Sequence, residues 1–497
     1  MDRPLSQHSQ VEIAELRDKA IRSARWVFLT DLFQKISGPL LPVLLARVLL
    51  PDDVGVLGIV MLVLALVTIF QQAGLGEAVI QRSSHQDGTP HIAFWLSLVV
   101  AIGLYALLWF IAPWIGLAFS EPRTVAALRV MGVQLLFSSV GTLPLSLLKR
   151  EFQFTKIYRA QLWASLVSFG VAIPLALMGK GYWAVIIASL CGNLVCVLFL
   201  WYQSRWLPKW LFVSSTAWQL LRFGGFITIE MLLGWMFVYF DNALVGAYLG
   251  TAALGIYALA FNIANAAIGL PVGALTGVAL STFSRLQEDR ASLRKMYIEG
   301  TQLVAAYAIP AGVGLAWCAV PLAQAYFGTK WAGMAPILSI LAVYAGIAHL
   351  WILNTHVFRS IGRPDIMVKI YLISIAVILP VYLFSVRYGL LEFTIARAVA
   401  VIVVGGIVHT FYAVRTLQLP RSYLWECCAA PLKATFLMVL VELALSVFKI
   451  HSPWLELALR LVLGAAGYFV GLYLFNRALS VAFYQSLWQR FSAQRRQ

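Results

Sequence analysis

The stretch that decides the fold is DLFQKISGPLLPVLLARVLLPDDVGVLG, residues 31–58. It opens as an apolar helix in which an acid and a base, Asp31 and Lys35, lie one turn apart. Pro39 and Pro42 interrupt this helix, because proline has no N–H to donate and clashes with the preceding turn. The pattern predicts a charged, broken membrane helix whose two prolines act as a hinge.

The second half of this stretch predicts a return into the membrane. The chain is expected to leave at Arg47, to turn at the Pro-Asp-Asp sequence of 51–53, and to re-enter at Gly55. About 200 residues later a similar pattern recurs, with Glu230 inside a helix and LVGAYLGTAALGIYALA starting at Leu244. We expect these two stretches to face each other.

Composition indicates an all-α polytopic membrane protein. Of the 497 residues 61% are hydrophobic and 12% are charged, and the mean hydropathy is +0.83. A soluble domain is about one-quarter charged. The net charge of +16 is better explained by basic cytoplasmic loops than by nucleic-acid binding. The sequence has no signal peptide, and its five cysteines do not have a metal-binding spacing. An enzyme is not expected, because the sequence has no phosphate-loop, HExxH or GxSxG motif.

About fourteen membrane-crossing helices are predicted, since a span needs roughly 20 apolar residues. Their approximate ranges are 26–48, 54–76, 91–112, 124–147, 157–178, 182–202, 219–240, 252–281, 297–320, 333–357, 366–386, 391–413, 430–449 and 455–476. With both termini in the cytoplasm, the cytoplasmic segments hold about three times as many Lys and Arg residues as the outer ones, which supports this orientation.

An internal repeat predicts two lobes. A shift of 200 residues places Leu49 on Leu249 and Gly55 on Gly255, and the six helices that intervene leave both halves in the same orientation. We expect two six-helix lobes around a cleft, followed by two extra helices. The predicted segments are an amphipathic N-terminal segment 1–25, lobes 26–205 and 219–415, a cytoplasmic linker 206–218, extra helices 430–476 and a basic tail 477–497.

Charged and polar residues at membrane depth are the candidate functional residues, because a charge inside a bilayer usually lines a cavity or has a partner. Glu230 is the strongest candidate, since it lies mid-span with no basic neighbour on its own helix, and we expect it to pair with Lys35 in one state. Some candidates have a second interpretation, since Arg129 and Arg397 can extend to the outer interface and Asn262 and Asn265 can join helices. The remaining candidates are Asp241, near the outer end of its helix, and Arg359, at the cytoplasmic end of another.

Four stretches resemble the bacterial oligosaccharide and polysaccharide flippases of the multidrug/oligosaccharidyl-lipid/polysaccharide exporter superfamily. The resemblance is nearest to the branch that serves exopolysaccharides of colanic-acid or xanthan type, and it spans roughly residues 20–415. The stretches are ARVLLPDDVGVLGIV at 46–60, QQAGLGEAVIQR at 71–82, LPLSLLKREFQF at 143–154 and DNALVGAYLGTAALGIYALAFNIA at 241–264.

The resemblance implies alternating access between two lobes in the bacterial inner membrane. The implied cargo is an oligosaccharide repeat unit on undecaprenyl diphosphate, handed on to polymerase and chain-length or export proteins of the same pathway. An anionic diphosphate needs cations in the cleft, for which Lys35 and Arg359 are the main candidates. No cofactor is expected. If a proton or sodium ion drives transport, Asp31, Glu230 or Asp241 carries the charge.

Two other functions are weighed against this one. A cation-coupled drug exporter of the same superfamily needs a cleft with uncompensated acids, whereas here Lys35 accompanies Asp31. A membrane polymerase or glycosyltransferase of surface polysaccharide needs a sizeable loop domain with paired acids. The adjacent aspartates at 52 and 53 are predicted to form a turn instead.

Overall fold

The computed structural model describes residues 41–72, 89–151, 153–210, 214–276, 279–448 and 450–477. Over these ranges the chain forms helices joined by short turns, without strands, and the prediction of an all-α polytopic membrane protein is confirmed. The helices are α1 Pro51–Gln72, α2 Thr89–Ala118, α3 Arg123–Met131, α4 Val133–Arg150, α5 Phe154–Leu177, α6 Tyr182–Ser204, α7 Ser214–Thr276, α8 Ala279–Arg285, α9 Arg290–Leu322, α10 Met334–Ala348, α11 Leu353–Ser360, α12 Asp365–Ser385, α13 Leu390–Ala400, α14 Gly406–Leu417, α15 Tyr423–Ser446 and α16 Pro453–Phe475.

Twelve segments within these described ranges are long and apolar enough to cross a membrane. Most of the predicted first span, 26–48, lies outside the described residues, and the predicted seventh and eighth spans fall in one segment, Met231–Gly273, which Gly250 divides. The count therefore agrees with the approximately fourteen spans expected from the sequence.

The predicted turn at 241–251 is wrong in its extent. Helix α7 continues through Asp241 and is interrupted only at Gly250, whose φ of 83° and ψ of 178° are not helical. This φ lies in a region that glycine enters without steric cost. The sequence predicted a tight turn over 241–251 between the seventh and eighth spans, whereas the non-helical backbone within this interval is at Gly250.

The aspartates at 52 and 53 do not form the predicted turn between helices. Helix α1 begins at Pro51, so both aspartates lie in its first turn, where their charge complements the helix dipole. The Asp53 carboxylate accepts a hydrogen bond from the backbone N–H of Leu50 at 3.3 Å. Pro42 lies in a preceding helical segment, 41–46.

The contacts between Cα atoms divide the chain into two compact units, Met1–Trp235 and Met236–Gln497. In the first unit, α5 and α6 pack along each other, and the Ser168 hydroxyl donates to the Ala188 carbonyl at 3.1 Å. The buried Gln71 side chain ties the end of α1 to α4 by donating to the Leu135 carbonyl at 2.7 Å.

In the second unit, α9 is the central helix and packs against α10, α15 and α16. The Asp289 carboxylate caps its first turn by accepting hydrogen bonds from the Ser292 hydroxyl and from the backbone N–H groups of Ala291 and Ser292. These hydrogen bonds lower the pKa of Asp289, and the one from the Ser292 hydroxyl has the largest effect. Further along, α9 crosses α10 at two glycines, Gly312 and Gly346, which lets the two backbones touch.

Candidate functional site

A buried ion pair, Asp241 with Arg397, lies in the second unit and joins α7 to α13. The Arg397 Nε donates to Asp241 Oδ2 at 2.6 Å, and the two side chains are only 3% and 1% exposed. Helix α13 buries one face through Phe393 and Thr394, which lie one helical turn before Arg397, and through the adjacent Ala398. The arginine is therefore on the face that packs into the core.

The Asp241 carboxylate is satisfied by Asn242 and by Tyr257, which lies beyond the break at Gly250, as well as by the arginine. The Tyr257 hydroxyl donates to Oδ2 at 2.6 Å, while the backbone N–H and side-chain amide of Asn242 donate to Oδ1 at 2.7 and 2.9 Å. A carboxylate with this many donors is held in one orientation. Because a bound cation would compete with the guanidinium, Asp241 can exchange a coupling ion only if the pair separates.

The Arg397 guanidinium is further surrounded by aromatic rings. Its central carbon lies 4.3 Å from the ring centre of Tyr344 on α10, 5.1 Å from Phe261 and 5.9 Å from Tyr257 on α7. Such cation–π contacts partly replace the hydration that the charge loses. From the sequence, Arg397 could either extend to the outer membrane interface or line the cleft. In the structure its side chain is buried against Asp241, so it does not extend to the outer interface.

Other predicted site residues have different surroundings. Arg129 on α3 lies over the ring of Trp109 at 4.6 Å, within the first unit. Arg359 is exposed near the end of α11. On α7, Asn265 donates its side-chain amide to the Phe261 carbonyl at 3.0 Å, one turn away, while Asn262 is exposed. Their roles in substrate binding stay predictions.

The predicted charge pair, Asp31 with Lys35, and the first hinge proline belong to a part of the chain that the structure does not describe. Asp31, Lys35 and Pro39 lie outside the described residues. Glu230 is in α7, but its side chain is likewise outside the part of the structure that is described. The predicted pairing of Lys35 with Glu230 therefore stays a hypothesis.

A buried polar network that was not predicted from the sequence joins α9, α11 and α14. The Tyr297 hydroxyl donates to Asn354 Oδ1 at 2.5 Å, and the Asn354 amide reaches His409 Nδ1 at 3.2 Å and the His409 carbonyl at 3.3 Å. The indole N–H of Trp351 donates to the Thr410 hydroxyl at 3.2 Å. Polar side chains in otherwise apolar spans were the available signal, because buried polar groups require partners.

A second buried charge cluster, also missed, joins the last two helices. Arg460 on α16 contacts Glu456 one turn away, at 2.8 Å, and Glu442 on α15, at 3.0 Å. The i,i+4 spacing of Glu456 and Arg460 was visible in the sequence, whereas the partner on α15 was not. Among the described residues, no group of three or more His, Cys, Asp or Glu side chains is arranged to hold a metal ion.

Comparison with known proteins identifies the family. The profile of a family described as polysaccharide biosynthesis protein matches residues 44–336, more than half of the chain. The chain belongs to this family. The resemblance noted in the sequence, to flippases of surface-polysaccharide assembly, is thereby confirmed at the family level.

Individual family relatives match over long stretches. The chain is 26% identical over 434 residues to the succinoglycan biosynthesis transport protein ExoT of Rhizobium meliloti (strain 1021), with 85% of each chain covered. It is 25% identical over 305 residues to the teichuronic acid biosynthesis protein TuaB of Bacillus subtilis (strain 168), covering 60% of this chain and 63% of that protein.

Solved structures show the fold that this family member shares. The lipid II flippase MurJ in an inward closed conformation superimposes with a TM-score of 0.75 over 91% of this chain and 99% of that one, at 16% identity. An inward-facing multidrug resistance MATE family transporter of the MOP superfamily gives 0.62 over 78% and 95%, at 17% identity. At these identities the likeness establishes the fold and not the substrate.

Proposed function

We propose that this protein flips undecaprenyl-diphosphate-linked oligosaccharide repeat units from the cytoplasmic to the periplasmic leaflet of the bacterial inner membrane by alternating access. The product supplies exopolysaccharide, capsule or O-antigen synthesis. The observation that carries the proposal is the match to a succinoglycan transport protein along 85% of both chains. The family match and the likeness to a lipid II flippase support the same class of transporter.

The chemistry of this cargo assigns a role to the basic residues singled out in the sequence. A diphosphate carries strong acceptor oxygens and binds best to Lys and Arg. We assign Lys35 and Arg359 to this role, and Arg129 as a weaker candidate. Arg397 is the least suited of the four, because its guanidinium already neutralises Asp241 at 2.6 Å inside the core of the second unit.

The acidic residues within the membrane-spanning segments are the candidates for binding a coupling ion. In this proposal a proton or sodium ion binds Asp31 or Glu230, which lie on the two stretches that the repeat relates. Asp241 can take part only in a state in which its hydrogen bonds to Arg397 and Tyr257 are broken.

Both termini face the cytoplasm in the proposed arrangement. The flipped cargo passes to a polymerase and to chain-length or export proteins of the same pathway.

Drug export is the second candidate, because the fold is shared with a multidrug transporter of the MATE family. The two functions predict different deletion phenotypes. In the proposed function, deleting the gene causes lipid-linked repeat units to accumulate in the membrane and surface polymer to disappear, while sensitivity to cationic dyes and drugs is unchanged. Mass spectrometry of extracted lipids and drug-inhibition assays measure these outcomes.

A complemented strain controls for effects on neighbouring genes in this experiment. Restored polymer after re-expression of the full chain attributes the phenotype to this protein. Normal surface polymer together with raised dye sensitivity would assign the protein to drug export instead.

A further inference from the structure

A cavity of about 380 Å³ lies in the second unit between α9 and the two last helices. Its size falls within the range of about 300–1,000 Å³ that is typical of small-molecule pockets. Most of its wall is apolar and comes from small residues of α9, including Ala311 and Gly314, and from Leu461, Ala465 and Phe469 of α16. From Arg460 to Phe469 the wall extends along α16 for nine residues, or about 14 Å. The site is therefore mostly apolar and extends along α16.

One end of the cavity is charged. Glu442 and Arg460 line it there, and Arg460 also borders a second cavity of about 350 Å³ that is lined by Glu456 and Trp317. The Arg460 Nη1 donates to Glu442 Oε2 at 3.0 Å, while Nε and Nη2 donate to Glu456 Oε1 at 3.0 and 2.8 Å. Two carboxylates therefore share one guanidinium, which gives the cluster a formal charge of −1.

Glu442 keeps a free acceptor at this end. Its side chain is only 1% exposed, and within the described part of the chain Arg460 is the one group that hydrogen-bonds to it, through Oε2. The other oxygen, Oε1, lies next to Gly464, where even a Cβ atom would come within 2.4 Å of it. A carboxylate that lines a cavity and has one oxygen without a donor favours a ligand that supplies one.

The charge and shape of the site select the chemistry of the ligand. A net negative cluster repels an anionic headgroup and attracts a cation, and a primary ammonium offers three N–H donors to carboxylate oxygens. The apolar remainder favours a hydrocarbon chain, because each methylene group that leaves water or a loosely packed environment gains contacts. The two features together describe an amphiphile with an amine head.

We propose that this cavity binds a phospholipid with a primary amine headgroup, phosphatidylethanolamine. Its ammonium group donates to Glu442 Oε1, and one acyl chain lies in the cavity between α9 and α16. Such a lipid fills the space between the last two helices and the rest of the second unit. This site is additional to the proposed transport of a lipid-linked saccharide, and its binding is measured without any transport assay.

The test is native mass spectrometry of the purified full-length protein, titrated with phosphatidylethanolamine, phosphatidylcholine and phosphatidylglycerol of equal chain length. We expect one tightly held phosphatidylethanolamine, bound about tenfold more tightly than phosphatidylglycerol, since one charge-assisted hydrogen bond is worth a factor of that order. Phosphatidylcholine, whose headgroup has no N–H donor, is expected to bind more weakly too. Glu442→Gln is expected to remove this headgroup preference.

A cavity-filling variant tests the site without touching its charges. The nearest atoms to a Cβ on Gly314 belong to Met438 at 3.9 Å, so Gly314→Leu places its side chain in the cavity without a backbone clash. It is expected to abolish tight phosphatidylethanolamine binding. Gly103→Leu on α2 is the matched control, because nothing lies within 4 Å of its Cβ and it is remote from the cavity in sequence and unit.

Three results would overturn this proposal. The first is equal retention of the three phospholipids by the wild-type protein, and the second is undiminished binding by Gly314→Leu. The third is displacement of the bound phospholipid by undecaprenyl diphosphate one for one, which would assign the cavity to the carrier lipid. None of these results depends on whether the protein flips an oligosaccharide.

Discussion

Replacing Arg397 by methionine is expected to destabilise the purified protein by about 3–5 kcal/mol, the usual cost of leaving a buried charge without its partner. The substitution keeps much of the side-chain volume but leaves the Asp241 carboxylate in the core without its guanidinium, although Tyr257 and Asn242 still donate to it. Thermal and denaturant unfolding in detergent measure the change. Asp241→Asn is expected to act in the same direction.

Two further variants distinguish this effect from the general loss of a charge. Lys369→Met breaks the ion pair with Asp365, which has a similar distance of 2.8 Å but is exposed to solvent, and little change in stability is expected. The double variant Asp241→Leu/Arg397→Met removes both buried charges, so it is expected to recover much of the lost stability. A single Arg397→Met variant as stable as the wild type would show that the pair is not buried in solution.

A single methyl group at Gly346 is expected to destabilise the second unit by about 1–3 kcal/mol. The added Cβ would lie 2.6 Å from the Ala308 carbonyl oxygen and 3.2 Å from the Gly312 Cα, both of them backbone atoms of α9. Because backbone cannot rotate away as a side chain does, α9 and α10 must move apart. Gly346→Ala is measured by the same unfolding assay, with Gly346→Leu expected to be worse.

Helix propensity alone predicts the opposite result for this substitution. Alanine is more favourable than glycine inside a helix by roughly 1 kcal/mol. Gly103→Ala on α2 serves as the control, since its Cβ meets no atom within 4 Å and it should be neutral or stabilising. If Gly346→Ala were also stabilising, α9 and α10 would not be in contact at this crossing.

Much of the fold was predictable from the sequence because a bilayer imposes length and hydrophobicity on each span. The boundaries were harder, because polar residues were interpreted locally as turns. At Asp52 and Asp53 the acids belong to a helix start, where they meet the helix dipole. At Asp241 the helix continues, since its carboxylate is satisfied by groups that a local pattern does not reveal.

The candidate site was predictable in its residues and not in their partners. Asp241 and Arg397 were both singled out as charges at membrane depth, yet as unrelated groups with different roles. They are 156 residues apart, and only tertiary packing brings α13 onto α7. Glu442 was not singled out at all, because its partner Arg460 lies on the next helix and its environment depends on how α15 and α16 pack.

The central claim is that the protein moves lipid-linked saccharide across the membrane, and reconstitution tests it most directly. Vesicles carry undecaprenyl-diphosphate-linked repeat units in both leaflets, with or without the purified full-length protein, and a glycosidase that cannot cross the membrane is added outside. Without protein only the outer half of the lipid-linked saccharide is cleaved. With protein, cleavage is predicted to approach completion while an enclosed soluble saccharide stays intact. Cleavage that remains at one half, in vesicles that accumulate a cationic dye, would contradict the account.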